Sequence, residues 1–358
     1  MSNRHDILGY TMNRNRSLSV IIIVLVVVAQ SGFSQILDRP AATVNLTETA
    51  PISLRVFRSQ IEFLEAQYGR PLTQPERMEV LDAQIGDELL NQAARRDGVT
   101  VSTTEVEQAI SVQRQSLGAV VSDAQFRSII QQQTGLSWES YREQIRNRLI
   151  QERFVISRSQ NLLSAITQPT QREVRRFYEE NAPEFTSPAM VRFDHLFFDT
   201  RAKTAADQQE IRRKAGEIAS AIRAGRSSFD VELEKSLDDV SVGGGDFGYL
   251  IRTDPQAIEQ LGRNFVDEVF ELERNDVSGV LASNVGFHIV RIRDRRSPRL
   301  LELDDPVMPG EQVTVRDQVE AYLVAQKQQT VFQQALELTL AELRGAAEVE
   351  IFEEYLNW

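Results

Sequence analysis

The sequence predicts an α+β chain in which a mostly helical domain is interrupted by one smaller domain of mixed strands and helices. Three patterns carry this reading. Apolar residues recur at helical spacing from Ser53 to about Ile166. Between Met190 and Arg293, two stretches of strand-like alternation bracket several helical segments. A long helical stretch after Val313 ends in a strand-like Glu348 to Phe352, suited to pair with Ala42 to Leu46 and so to complete the first domain from the far end of the chain. The expected division is a leader at 1–34, a helical domain at 35–187 completed by 298–358, and the inserted α+β domain at 188–297.

In chain order, Arg4, Arg14 and Arg16 precede an unbroken apolar run, Val20 to Ala29, and small residues then lead to Ser34. This is the three-part pattern of a secretory signal peptide cleaved after Ser34; an uncleaved anchor is the alternative. The run is short of the ~20 apolar residues that span a bilayer. Leu54, Phe57, Ile61 and Leu64 share one helical face, and Gly69 ends that helix. Thr73, Pro75 and Glu76 supply a cap, a first-turn proline and a capping-box acid for the helix of Met78, Leu81, Ile85 and Leu89. Ser102 with Glu105 opens another, Ser122 a short one with Phe126 and Ile130, and Ser137 a long one with Tyr141, Ile145 and Leu149. Thr170 with Glu173 is a further capping box. Met190 to Asp199 then alternates as a strand, followed by helices over Ala205 to Arg223 and Phe229 to Leu237. A glycine-rich run, Gly243 to Gly248, precedes two helical pieces between Pro255 and Leu272 and a strand from Gly286 to Arg293. Residues 298–312, with three prolines, read as a linker before the helix from Val313 to Leu343.

Composition narrows the function. The formal charge is -12 and the pI about 5.0, which argues against a nucleic-acid binder. No cysteine is present, so there is no disulfide, thiolate metal site or lipid-attachment cysteine. The histidines number three, His5, His195 and His288. By period-two alternation His195 shares a strand face with Val191, Phe193 and Phe197, and His288 shares one with Val290 and Ile292. Both therefore point into an apolar interior. They are either satisfied core histidines or parts of a site.

The residues between them resemble the parvulin family of prolyl isomerases. Arg192 to Phe198 matches the family's first strand, Gly244 to Gly248 its Gly-Gly-Asp-x-Gly turn, and Phe265 with Phe270 its helix with phenylalanines five apart. Val277-Ser278-Gly279, Ser283 and Gly286-Phe287-His288-Ile289 match its closing strands. The motifs stand in order over 188–295. The resemblance implies a parvulin-type fold at 188–297. It implies facing histidines at His195 and His288, an acid beside them at Asp238, proline-pocket residues at Leu261 and Phe265, and a hydroxyl near the second histidine at Ser283, grouped with the substrate-binding residues. On the residues alone, Leu261 and Phe265 read equally as an i, i+4 core pair, and Asp238 as a helix-end turn residue. Phe197-Phe198 and Phe247 depart from the family pattern, with bulky rings expected to narrow the pocket.

The flanking helices resemble the SurA-type periplasmic chaperones, through Ala42 to Leu46, Leu136 to Arg153 and Val315 to Phe352. That resemblance implies binding of extended, unfolded polypeptides such as outer-membrane protein precursors; a helical dimerisation domain is the plainer alternative. Only one parvulin segment is present, whereas the type member has two. The function expected is an exported peptidyl-prolyl cis-trans isomerase and chaperone of the periplasm, acting on X-Pro segments without cofactor or metal. A non-catalytic holdase is the alternative, and a His195–His288–Asp238 metal site a third reading that the apolar surroundings disfavour.

Overall fold

A computed structural model describes residues 39–116, 121–238 and 241–356. The expected leader, 1–34, lies outside them. No helix among the described residues is long and apolar enough to cross a membrane. The described chain forms two compact units, residues 39–169 with 321–356, and residues 170–320.

The first unit opens with a hairpin, β1 (Pro40–Asn45) and β2 (Thr49–Ser53), followed by α1 (Leu54–Tyr68) and α2 (Gln74–Arg96). Ser53 caps α1, accepting from the Val56 N–H, and Thr73 with Glu76 forms the expected capping box of α2. Helices α3 (Thr103–Gln115), α4 (Asp123–Thr134) and α5 (Trp138–Arg158) follow, then a single turn, α6 (Gln160–Ser164). Val106, Ile110, Phe126, Ile130, Tyr141 and Ile145 form a satellite core among α3, α4 and α5. A groove of about 530 Å³ runs between α3 and α5, floored by Ala109, Val112 and Leu149 and edged by Glu105, Arg148 and Arg153.

A buried glutamine ties the hairpin down. Gln92 on α2 is fully enclosed, and its Oε1 accepts from the backbone N–H groups of Leu46 and Thr47, both at 3.0 Å. Those donors lie in the β1–β2 turn. Gln92→Leu keeps the volume but leaves them unpaired, so unfolding of this unit, followed by Trp138 fluorescence in urea, is expected to shift by about 2–3 kcal/mol.

The second unit starts at α7 (Gln171–Glu180) and β3 (Thr186–Ser187). Its centre is β4 (Met190–Asp199), and α8 (Ala205–Arg223) and α9 (Phe229–Ser236) follow. Then come β5 (Gly243–Ile251), α10 (Pro255–Leu261), α11 (Arg263–Glu271), β6 (Leu281–Ala282), β7 (Gly286–Arg296) and β8 (Arg299–Leu300). Four strands form an antiparallel sheet in the order β5-β4-β7-β6. Alternation divides its faces. Val191, Phe193, Val290 and Ile292 pack with Leu261, Phe265, Val266 and Val269 from α10 and α11. Leu196, Phe198 and Ile289 pack on the other side with Ala215, Ala219 and Phe229 from α8 and α9. Close approach of α9 to β5 depends on Gly244, where a Cβ would meet Leu233 Cδ1 and Ser236 Oγ at 2.6 Å.

Residues 298–312 are not the free linker expected. β8 pairs with β3, and Leu301 and Val307 are buried in the second unit. Those two side chains have a core to enter, which outweighs the turn-forming prolines around them. This unit is accordingly wider than 188–297.

The last helix, α12 (Val315–Ala346), contributes residues to Glu320 to the second unit and from Ala321 onward to the first. β9 (Glu348–Ile351) then pairs antiparallel with β1, Asn45 opposite Glu348 and Ala42 opposite Ile351, which is the expected pairing of the two ends.

Candidate active site

His195 on β4 and His288 on β7 face one another on the α10–α11 side of the sheet. Their Nδ1 atoms are 3.2 Å apart and their rings nearly parallel, at 21°. Ser283, in the turn before β7, places its Oγ 2.8 Å from His288 Nε2. The same Oγ accepts from the N–H groups of Val285 and Gly286, at 3.2 and 3.1 Å. A hydroxyl oxygen has two lone pairs and one proton. Its one proton has two acceptors in reach, His288 Nε2 at 2.8 Å and the Gly286 carbonyl oxygen at 3.2 Å. Between the two Nδ1 atoms one nitrogen donates and the other accepts, so the two rings hold complementary protonation at these positions. Ser283, His288 and His195 thus form one continuous hydrogen-bonded chain.

Neither ring is charged at neutral pH. Burial pushes His288 down to about 3, and the neighbouring His195 adds to the shift. Burial lowers His195 also, opposed by the charge of Asp194. Asp194 lies on the other side of β4, held by Arg291 at 2.8 Å and Arg293 at 3.0 Å.

The wall beside the histidines is apolar. Phe265, fully buried, packs its ring 4.5 Å from that of His288, and Leu261 is buried in the same cluster. Phe197 lies 4.8 Å from the His288 ring and stacks with His195 at 6.0 Å. Phe247 stacks on Phe193 at 4.6 Å and meets His195 edge-on at 5.6 Å. The glycine turn that presents Phe247 is fastened by Asp246, which accepts from Arg192 Nε at 3.0 Å and from the Gly248 N–H at 2.8 Å. Arg192 in turn holds the Asp246 carboxyl below the usual carboxylate range.

His195, His288, Leu261, Phe265 and Ser283 are therefore brought together, and two expectations are corrected. Asp238 is exposed in the turn after α9, its backbone N–H bonded to the Lys235 carbonyl, and it is not part of the buried network. α9 ends at Ser236, so Asp238 already belongs to the loop leading away. Ser283 hydrogen-bonds to His288 and within its own turn. Phe198 does not narrow the pocket either: alternation sends it to the α8–α9 side, and Phe197 alone faces the histidines. Among the described residues no group of three histidine or acidic side chains converges as a metal site would require.

Residues 169–305 match the family described as the PPIC-type PPIase domain, and residues 12–155 match the SurA-like N-terminal domain. The chain joins a SurA-like domain to a PPIC-type PPIase domain. The PPIase match begins at residue 169, one residue before the second compact unit starts at Thr170. A chaperone SurA of Alcanivorax borkumensis is 27% identical over 266 residues, 73% of this chain and 58% of that protein. A chaperone SurA of Hydrogenovibrio crunogenus is 28% identical over 230 residues, 63% of this chain and 48% of that protein. The chain thus spans about half the length of these curated relatives. Among solved structures, a SurA-like chaperone of Campylobacter jejuni covers 88% of this chain and 99% of its own at 12% identity, with a TM-score of 0.32, too low to add to the fold described above.

Within the PPIase domain, two groups that shape the site escaped the sequence reading. Phe193 reads only as core, yet it backs Phe247. Asn284 sits between Ser283 and Val285 with no motif to mark it. The proximity of Asn284 to α10 is a tertiary fact, and the only available signal was its place in the turn carrying Ser283.

Proposed function

We propose that the chain is an exported folding factor that catalyses cis-trans isomerisation of X-Pro bonds and holds unfolded polypeptides. The observation that carries the catalytic part is the Ser283–His288–His195 chain set against the buried Phe265 and Leu261. Rotation about an X-Pro bond crosses a barrier of ~20 kcal/mol that arises from amide resonance. An apolar wall that takes the proline ring strips water from the amide and withdraws solvation of its planar, polar form. Neutral imidazoles held in one hydrogen-bonded chain supply a fixed field beside the rotating bond. No covalent intermediate is required. The catalytic residues are His195 and His288; Leu261 and Phe265 bind proline, and Ser283 orients His288.

Export to the periplasm is supported by the signal pattern of residues 1–34. A holding role for extended clients, outer-membrane protein precursors among them, is supported by the SurA-like match and by the α3–α5 groove, where Val112 is exposed. The reading as a non-catalytic holdase draws on Phe247 and Phe197, whose rings crowd the histidines.

Exchange NMR on short X-Pro peptides decides between them. The full chain is expected to accelerate isomerisation, and His288→Ala to reduce that acceleration by roughly ten- to a hundredfold. Absence of acceleration for every residue tested before proline would leave the holdase reading standing.

A further inference from the structure

Asn284 connects the two halves of the site. Its backbone N–H donates to the Leu261 carbonyl at 3.0 Å. Its side-chain Nδ2 donates to the Glu259 carbonyl at 3.0 Å. Both acceptors lie in the last turn of α10, whose final carbonyls have no partner within the helix. The break that follows is Gly262, at φ +92°, and its α-carbon is approached so closely that a Cβ there would lie 3.0 Å from Asn284 Oδ1. Leu261, the pocket residue, stands between the two carbonyls' helix and that break. The residue before Asn284 is Ser283, whose hydroxyl holds His288. One dipeptide therefore grips the histidine pair with its first residue and the proline pocket with its second.

We propose that Asn284 is a positioning residue that fixes Leu261 at the proline pocket by capping α10 from the turn that carries Ser283, so that pocket and histidines keep a set spacing. The proposal rests on the reading of Leu261 and Phe265 as the proline pocket. It assigns a function to an exposed polar side chain that touches neither histidine. It also accounts for the glycine at 262. That position must adopt a left-handed backbone and leave room for the asparagine.

The test compares two peptides that differ only in proline or alanine at the centre. Their affinities for the full chain are read from the imidazole signals of His195 and His288, which report this site and no other. The wild-type chain is expected to prefer proline. Asn284→Asp keeps the shape but removes the donor to Glu259, and is expected to reduce the proline preference roughly three- to tenfold. The wild-type shifts of the free His195 and His288 are expected to persist. Gly262→Ala, pressing on the same contact from the other side, is expected to do likewise. Partial unfolding lowers both affinities together and leaves their ratio unchanged, so a purely structural role does not move this readout. An unaltered ratio in both variants overturns the proposal while sparing the isomerase reading. A wild-type chain without proline preference overturns both.

Discussion

Alanine at position 286 is expected to leave the PPIase domain unable to fold. Gly286 opens β7 opposite Asp199, where the strand runs against the end of β4. A Cβ there would stand 2.1 Å from the Phe198 carbonyl oxygen and 3.0 Å from the Phe197 ring. The first contact is with backbone, so no rotamer change relieves it; the strands themselves must part. That seam is the one that sets the histidine Nδ1 atoms 3.2 Å apart. A penalty above ~4 kcal/mol is expected, against a total domain stability of about 5–15 kcal/mol. Loss of the dispersed His195 and His288 signals in Gly286→Ala is the predicted observation. Wild-type spectra and melting in that variant would show that the strand ends yield more easily than their spacing implies.

Acid is expected to destabilise the same domain well before its carboxylates titrate. The unfolded-state value of a histidine is about 6.5, and His288 lies at about 3 in the fold, with His195 shifted in the same direction. Above pH 6.5 both states are neutral at these rings and nothing is gained or lost. Between pH 6.5 and about 3 the unfolded chain binds a proton at residue 288 that the folded chain refuses. Stability therefore falls with falling pH, by about 1.4 kcal/mol per unit for His288, and His195 contributes in the same direction. Asp246 and Asp294, which the fold holds below their ordinary value, add a loss only below about pH 4. Urea melts of the wild type and His288→Phe between pH 6.5 and 4.5 isolate the histidine contribution. A slope that is equal in both proteins would refute the assignment of a buried, neutral His288.

Much of this site is legible in the sequence because strand geometry is strict. Period two puts His195 with Val191, Phe193 and Phe197, and His288 with Val290 and Ile292, and the sheet register makes those two faces one. Capping boxes are equally local, and Thr73–Glu76, Ser102–Glu105 and Thr170–Glu173 form where their spacing indicates. Loops obey no such period. Asp238 stands eight positions before Asp246, but that count does not determine where a turn aims its side chain, and Asp238 faces solvent. Residues 298–312 have linker composition, and only the presence of a core to receive Leu301 and Val307 decides against it. The role of Asn284 is hidden for the same reason, since α10 is distant in sequence from the turn that caps it.

The pairing of β1 with β9 has a consequence in time. Asn45 and Glu348 are 303 residues apart, and β1 is the middle strand of its sheet. A chain delivered from its N-terminus can assemble residues 170–320 from neighbours in sequence while β1 still waits for its second partner. Closure of that sheet is a late, long-loop event with a large entropic toll. The two units are thus expected to acquire protection from hydrogen exchange in succession, the one holding the histidines first and the three-stranded sheet last.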